Sequence, residues 1–217
     1  MRPSRHVIVM AKAPIPGQVK TRLCPPCTPV EAAAIAEAAL TDTLDAVARC
    51  GAARRIVALA GQPGRWLPAG FEVIAQRGDG LAERLANAWA DAGGPGIQIG
   101  MDTPQVRPAD LDRLLGMVTP GRGVLGHAID GGWWVIGLDG AEPGAVFGGV
   151  PMSTPITGER QEQRLRSLGL AVHHARRLRD IDTVDDLAAV AAEAPATRTA
   201  ALAAALGLDR STEAGVA

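Results

Sequence analysis

Ile97-Gln98-Ile99-Gly100-Met101-Asp102-Thr103-Pro104 decides how this chain is read: an apolar run closes on glycine, and an acid follows where a strand would stop. In open α/β sheets, ligands bind beyond the carboxyl ends of the strands. A carboxylate there suits a hard cation such as Mg²⁺, which takes oxygen ligands and shares them with substrate phosphates. The competing reading has Asp102 capping a turn whose bend Pro104 fixes. Three other stretches favour the cation: a basic glycine loop near the N-terminus, Asp130-Gly131-Gly132, and Asp180-Ile181-Asp182.

Outward from that stretch, apolar runs alternate with helical patterns. Residues 6–10 read as a buried strand, short and β-branched. Residues 55–60, 71–75, 96–100, 123–126, 133–138 and 170–174 read as six more strands. Thr28-Pro29-Val30-Glu31 opens an Ala-rich helix to Cys50, with Thr as N-cap, Pro at the first helical position and Glu at the third. Further helices start near Leu81, Pro108, Glu159 and Thr183, and the last spans 195–207. Thr183 and Asp186 are spaced as a capping-box variant. Asp79 is placed to cap the helix from Leu81. Phe147 to Thr157, with Ser153 and Thr154, reads as loop.

Alternation of this kind predicts an α/β sheet covered on both faces. Residues 127–132 are too few for a helical crossover, so the strands they join do not form a parallel βαβ unit. A mixed, mostly parallel sheet is the result. Trp133 and Trp134 point to opposite faces of their strand, which buries at least one of them. With 217 residues, no repeat and no linker, one domain over residues 1–208 is expected, with a disordered tail over 209–217.

The net charge of −1 argues against a nucleic-acid partner, for which a basic surplus is expected. No run approaches the roughly 20 apolar residues of a membrane helix, and a cytoplasmic location is the default expectation. Cys24-Pro25-Pro26-Cys27 has redox-like spacing without a thioredoxin-like context, and no second Cys or His pair follows at zinc-finger spacing. His173 and His174 face opposite sides of any strand, which argues against a metal shared between them.

The loop Ala11-Lys12-Ala13-Pro14-Ile15-Pro16-Gly17-Gln18-Val19-Lys20-Thr21-Arg22 carries three cations around Gly17 and is too rich in proline for a helix. Arg clamps phosphates bidentately and Lys acts as a point charge. The spacing is not that of a Walker loop, and a solvated basic loop is the alternative. At the carboxyl edge, these cations would gather with Asp102, Asp130, Asp180 and Asp182. Two carboxylates 4 Å apart repel by roughly 4 kcal/mol at an effective dielectric of 20. A divalent cation removes that cost, with the basic loop neutralising phosphates on its far side.

In order, Met10-Ala11-Lys12-Ala13-Pro14, Gly17 to Leu23, Gly78-Asp79-Gly80-Leu81-Ala82-Glu83-Arg84-Leu85, Ile99 to Pro104, Asp130-Gly131-Gly132-Trp133-Trp134-Val135-Ile136-Gly137-Leu138 and Asp180-Ile181-Asp182-Thr183 resemble one bacterial family. It is the GT-A-fold group of radical-SAM/selenodomain-associated transferases, usually described as glycosyltransferase-like, and the resemblance spans residues 6–190. More distantly, the layout looks like the nucleotidyltransferases of molybdenum-cofactor dinucleotide synthesis and the phospholactate guanylyltransferases. The resemblance implies a three-layer, Rossmann-like GT-A (nucleotide-diphospho-sugar transferase) fold, a nucleotide-bound substrate and Mg²⁺ or Mn²⁺. It places nucleotide binding on Ala11, Lys12, Gly17, Lys20, Arg22, Gly78, Asp79 and Gly80. Metal binding falls on Asp102 and Asp182, the acceptor side on Asp130, Gly131 and Gly132, and catalysis on Asp102, Asp130 and Lys20. The chain departs from the family at Met101, at Gln105 and Val106, and at Trp133 and Trp134, where tyrosines are usual.

The leading expectation is a metal-dependent glycosyltransferase using a nucleotide-diphosphate sugar and a small-molecule acceptor. The alternatives are a nucleotidyltransferase, moving NMP from an NTP to a phosphorylated acceptor, and a nucleotide-binding module without catalysis.

Overall fold

The computed structural model describes residues 4–210. Seven strands, β1 (His6–Lys12), β2 (Arg54–Ala60), β3 (Glu72–Ala75), β4 (Gly96–Gly100), β5 (Arg122–His127), β6 (Trp133–Leu138) and β7 (Ala171–His174), form one sheet in the order β3-β2-β1-β4-β6-β5-β7. β1 pairs in parallel with β2 and β4, β2 with β3, and β5 with β7, whereas β6 runs antiparallel to both β4 and β5. The expected mixed, mostly parallel sheet is found, and the short 127–132 connection is what reverses β6.

The helices are α1 (Pro29–Arg49), α2 (Leu81–Ala92), α3 (Pro108–Met117), α4 (Pro143–Phe147), α5 (Thr157–Ser167), α6 (Val184–Glu193) and α7 (Arg198–Ala205). β1 is apolar at successive positions because both of its faces are covered, as parallel strands require. Val7, Val9 and Ala11 pack with Leu40, Leu44 and Val47 of α1 and with Leu111, Leu114 and Leu115 of α3. Ile8 faces the opposite layer, with Leu85 and Trp89 of α2, Phe147 of α4 and Leu165 of α5. A third cluster joins α1 to α6 and α7 through Ile35, Ala39, Leu187, Val190 and Ala203. The result is a three-layer α/β architecture.

Local chemistry sets the helix starts. The Thr28 hydroxyl accepts from the Glu31 amide while the Glu31 carboxylate accepts from the Thr28 amide, with Pro29 at the first position. Thr183 and Asp186 build the same box on α6. Asp42, buried on α1, accepts from the amides of Arg198 and Thr199 and so anchors the positive end of α7.

Asp79 does not cap α2. Gly80 is the N-cap, and Glu83 turns back instead to accept the Asp79 amide at 2.9 Å. α4 lies ahead of the expected loop at Phe147, and its first amides at Gly144 and Ala145 are accepted by the Glu142 side chain. The proline-rich basic loop contains one 3₁₀ turn, Thr21–Leu23. Cys24, Cys27 and Cys50 are free thiols. Trp134 is buried and Trp133 half-buried, as strand alternation requires. Asp209 and Arg210 follow α7 as a bend, and the rest of the expected tail lies outside the described residues.

Candidate active site

The loops leaving β1, β4, β5 and β7 meet at the carboxyl edge of the sheet. β4 ends at Gly100, and Asp102 stands two residues beyond. A Cβ at Gly100 would lie 2.9 Å from Asp102 Oδ1, so the glycine leaves the carboxylate room to fold back toward the strand. The segment after β7 runs alongside: the Ile129 amide donates to the Leu178 carbonyl at 2.9 Å, and the Ile181 amide to the Asp102 carbonyl at 3.2 Å. Ile181 is fully buried in the third core cluster. Asp180 and Asp182, on either side of it, therefore emerge on the opposite side.

The outcome is a cluster in which Asp102, Asp180 and Asp182 each offer a carboxylate oxygen within 4.8 Å of the others. Burial and then repulsion from Asp102, Asp130 and Asp182 push the Asp180 carboxyl up to about 7. Three carboxylates here stand against the two cations that touch them, Lys20 and Arg22. An all-oxygen, carboxylate-rich donor set of this size fits a hard divalent cation of the Mg²⁺ or Mn²⁺ kind.

The basic loop meets the acids directly rather than across a gap. Lys20 Nζ lies 2.7 Å from Asp102 Oδ2 and 3.6 Å from Asp182 Oδ1, and only 9% of its side chain is exposed. Arg22 reaches Asp182 Oδ2 at 3.0 Å. Lys20 and Arg22 thus contact the acids themselves, a direct pairing that the sequence reading did not include. The attraction between Lys20 and the aspartates outweighs the cost of burying an ammonium. Burial alone would lower the Lys20 pKa, but Asp102, Asp182 and Asp180 hold it above the ordinary lysine value. The lysine adopts φ +48, a left-handed conformation uncommon outside glycine. Strain of this kind persists where surrounding contacts over-determine it.

Next to the cluster opens a cleft of about 630 Å³, within the range of small-molecule sites. Asp102, Asp180, Asp182, Asp130, Gly132 and Arg22 line its polar side, and Met10, Leu81, Leu85, Trp133 and Met152 its apolar side. Ser153, with φ +57, and Thr154 add hydroxyls. A smaller hollow of about 260 Å³ on the other side of Lys20 is lined by Lys12, Gln18, Thr21 and Arg22, together with Asp102 and Asp182.

The turn after β5 is built around Gly131. At φ +93, its missing Cβ would lie 1.9 Å from the Pro155 carbonyl oxygen, so only glycine fits. The Gly158 amide donates to the Gly131 carbonyl at 2.8 Å, and Asp130 Oδ1 accepts from the Gly132 amide at 2.8 Å.

Of the residues read from the sequence, Lys12, Lys20, Arg22, Asp102, Asp130, Gly132 and Asp182 line these two hollows. Ala11, Gly17, Gly78, Asp79, Gly80 and Gly131 do not, although Leu81, directly after Gly80, does. Asp180 was gathered at the edge by the sequence but not assigned to the metal, and its two-residue offset from Asp182 was the available signal. Met152, Ser153 and Thr154 carry no role in the sequence reading, because nothing local marks the 151–157 loop as part of the wall, and Trp133 stands out there only as a departure from the family.

Comparison with known proteins fits this architecture. Residues 43–154 match the model of a family described as an uncharacterized protein conserved in bacteria, DUF2064, and the chain belongs to that family. No curated protein matches it. Among solved structures it is similar to a candidate nucleotide-diphospho-sugar transferase from Desulfovibrio desulfuricans, with TM-score 0.85, 24% identity, and 95% of this chain and 97% of that one covered. It is also similar to Rv0371c from Mycobacterium tuberculosis in complex with manganese, with TM-score 0.54, 21% identity, and 88% and 98% covered. A nucleotidyl transferase from Methanothermobacter thermautotrophicus gives TM-score 0.59, 16% identity, and 84% and 94% covered. At these identities the likeness is one of fold. Among the described residues, no helix is long and apolar enough to cross a membrane.

Proposed function

We propose that this protein is a divalent-cation-dependent transferase acting on a nucleotide-activated donor, most simply a glycosyltransferase using a nucleotide-diphosphate sugar. The observation that carries this reading is the convergence of Asp102, Asp180 and Asp182 beside Lys20 and Arg22 at the mouth of a ligand-sized cleft. The resemblance of the sequence motifs to the radical-SAM/selenodomain-associated transferases supports the same assignment. So does the likeness to the D. desulfuricans protein.

Asp102 and Asp182, with Asp180 completing the set, would hold Mg²⁺ or Mn²⁺, which would supply Lewis-acid stabilisation of a phosphate leaving group. Lys20 and Arg22 bind and neutralise the same phosphates, and Lys12 extends the cationic surface into the smaller hollow. Lys20 has two partners in this scheme: the aspartates when no phosphate is present, and phosphate oxygens when the donor arrives. Trp133, Met152 and Leu85 offer an apolar wall against which a ring can lie. Asp130, fixed by its own turn, orients an acceptor hydroxyl and is the candidate base.

Nucleotidyl transfer is the second reading, favoured by the likeness to the M. thermautotrophicus enzyme and by three cations, which suit a triphosphate. A phosphate nucleophile needs no base, and Asp130 then only positions the acceptor. Product analysis with Mn²⁺ and a panel of nucleotide sugars and NTPs separates the two. Nucleoside diphosphate release supports glycosyl transfer, and pyrophosphate release supports nucleotidyl transfer. Tight nucleotide binding without turnover on any donor would instead point to a non-catalytic nucleotide-binding module.

A further inference from the structure

Behind the cleft, on β5, β7 and α5, lies a second cluster of a different chemical type. His127 ends β5, His174 ends the neighbouring parallel strand β7, and Glu162 sits in the middle of α5, which packs across both. Strand alternation does keep His173 away from this group. The partner that His174 meets comes from the adjacent strand and not from its own chain neighbour.

Both imidazoles aim the same atom at the same oxygen. His127 Nε2 lies 3.0 Å and His174 Nε2 3.1 Å from Glu162 Oε2, and the three atoms fall within 4.8 Å of one another. The other oxygen, Glu162 Oε1, is held by Arg166, with Nε at 3.0 Å and Nη2 at 2.6 Å. The carboxylate is therefore oriented from behind, with one oxygen left for the histidines. That is how a metal-binding carboxylate is held by its outer shell.

We propose that His127, His174 and Glu162 form a binding site for an imidazole-seeking divalent transition metal of the Zn²⁺ class, separate from the aspartate cluster. Zinc bonds of about 2.0–2.2 Å to nitrogen and oxygen in a tetrahedron put neighbouring ligand atoms roughly 3.4 Å apart. The observed 3.0 and 3.1 Å separations need only a few tenths of an ångström of opening. Zn²⁺ would replace the two Nε2 protons as the link to the carboxylate. Two imidazoles exclude Mg²⁺, which takes oxygen ligands, so the two clusters sort cations by hardness. Half of the His174 side chain is exposed, giving an entry path and leaving a fourth position to water. A metal here would clamp β5, β7 and α5 directly behind Ala128 and Thr157, two residues of the cleft wall.

The test uses the full chain, stripped with chelator and titrated with Zn²⁺ alone, in the Asp102→Asn protein so that the aspartate cluster does not contribute. One Zn²⁺ per chain is expected, with a rise in melting temperature that Mg²⁺ does not give. His174→Ala, at a half-exposed position, should fold and lose at least the about 10- to 100-fold in affinity that weakened metal-site support costs. Co²⁺ in place of Zn²⁺ should give tetrahedral visible bands that vanish in His174→Ala and Glu162→Gln. Unchanged Zn²⁺ affinity in His174→Ala would overturn the proposal. So would thiolate charge-transfer bands with Co²⁺, which would assign the metal to Cys24 and Cys27.

Discussion

Lys20 Nζ lies 2.7 Å from Asp102 Oδ2, although 82 residues separate them in the chain and they belong to the loops after β1 and β4. β1 and β4 are adjacent and parallel, so their following loops emerge side by side. The ammonium lies where charge compensation is needed among three aspartates. In the proposed function, a divalent cation would take over that role once phosphate gave the lysine another partner.

Removing that ammonium separates three effects. Lys20→Ala should weaken nucleotide binding, more at low salt than at high, because one phosphate charge contact is lost. The same variant should bind Mn²⁺ more tightly than the parent in the absence of nucleotide, since no lysine has to be displaced from Asp102. Without metal it should be less stable, by up to about 3 kcal/mol, because the aspartates lose their buried partner. Calorimetry with Mn²⁺ alone and with nucleotide, together with denaturant unfolding, reads all three.

Gly131 carries the turn after β5, the proposed acceptor side. Gly131→Ala forces a Cβ against the Pro155 carbonyl at φ +93, and backbone strain of that kind costs about 1–3 kcal/mol before the clash is counted. The turn should move away from the 151–157 loop. Melting temperature should fall, and KM for the acceptor should rise more than donor affinity changes.

His6 gives a pH signature independent of the site. Burial, and then the charge of Arg54, lower its pKa from 6.5 to about 4, and its ring packs edge-on to Trp89. Between these values the unfolded chain binds a proton that the folded chain does not, so stability falls as pH drops from 6.5 toward 4. The loss attributable to this one group is about 3 kcal/mol. His6→Leu removes it, while every other titrating group stays common to both proteins. Urea unfolding at pH 7 and pH 4.5 should show the parent losing more stability than the variant.

The fold was legible because its central strands β1, β2, β4, β5 and β6 are largely buried, and because Thr28-Pro29-Val30-Glu31 and Thr183 to Asp186 mark helix starts with specific side-chain chemistry. β6 could be read as antiparallel from the length of residues 127–132 alone. Less of the site was legible. Asp102 stands just beyond a strand end and Asp182 just ahead of a helix start, each with recognisable neighbours, but nothing in the sequence says that Lys20 reaches across to them. That contact depends on which strands are adjacent and on a left-handed backbone at Lys20. Asp79 looked like a helix cap, yet α2 begins one residue later with Gly80 at the N-cap, and the Glu83 side chain folds back onto the Asp79 amide. The pairing of His174 with His127 was hidden for a related reason: cross-strand neighbours are set by sheet order, and sheet order is not written locally.

The central claim is that Asp102, Asp180 and Asp182 bind a divalent cation together with a nucleotide. Titrating Mn²⁺ into the parent and Asp102→Asn proteins, with nucleotide present and free Mn²⁺ followed by its paramagnetic resonance signal, tests it directly. The parent should sequester Mn²⁺ in a nucleotide-dependent manner, and Asp102→Asn should lose that binding while its unfolding transition stays cooperative. Equal Mn²⁺ and nucleotide binding by the two proteins would contradict the account.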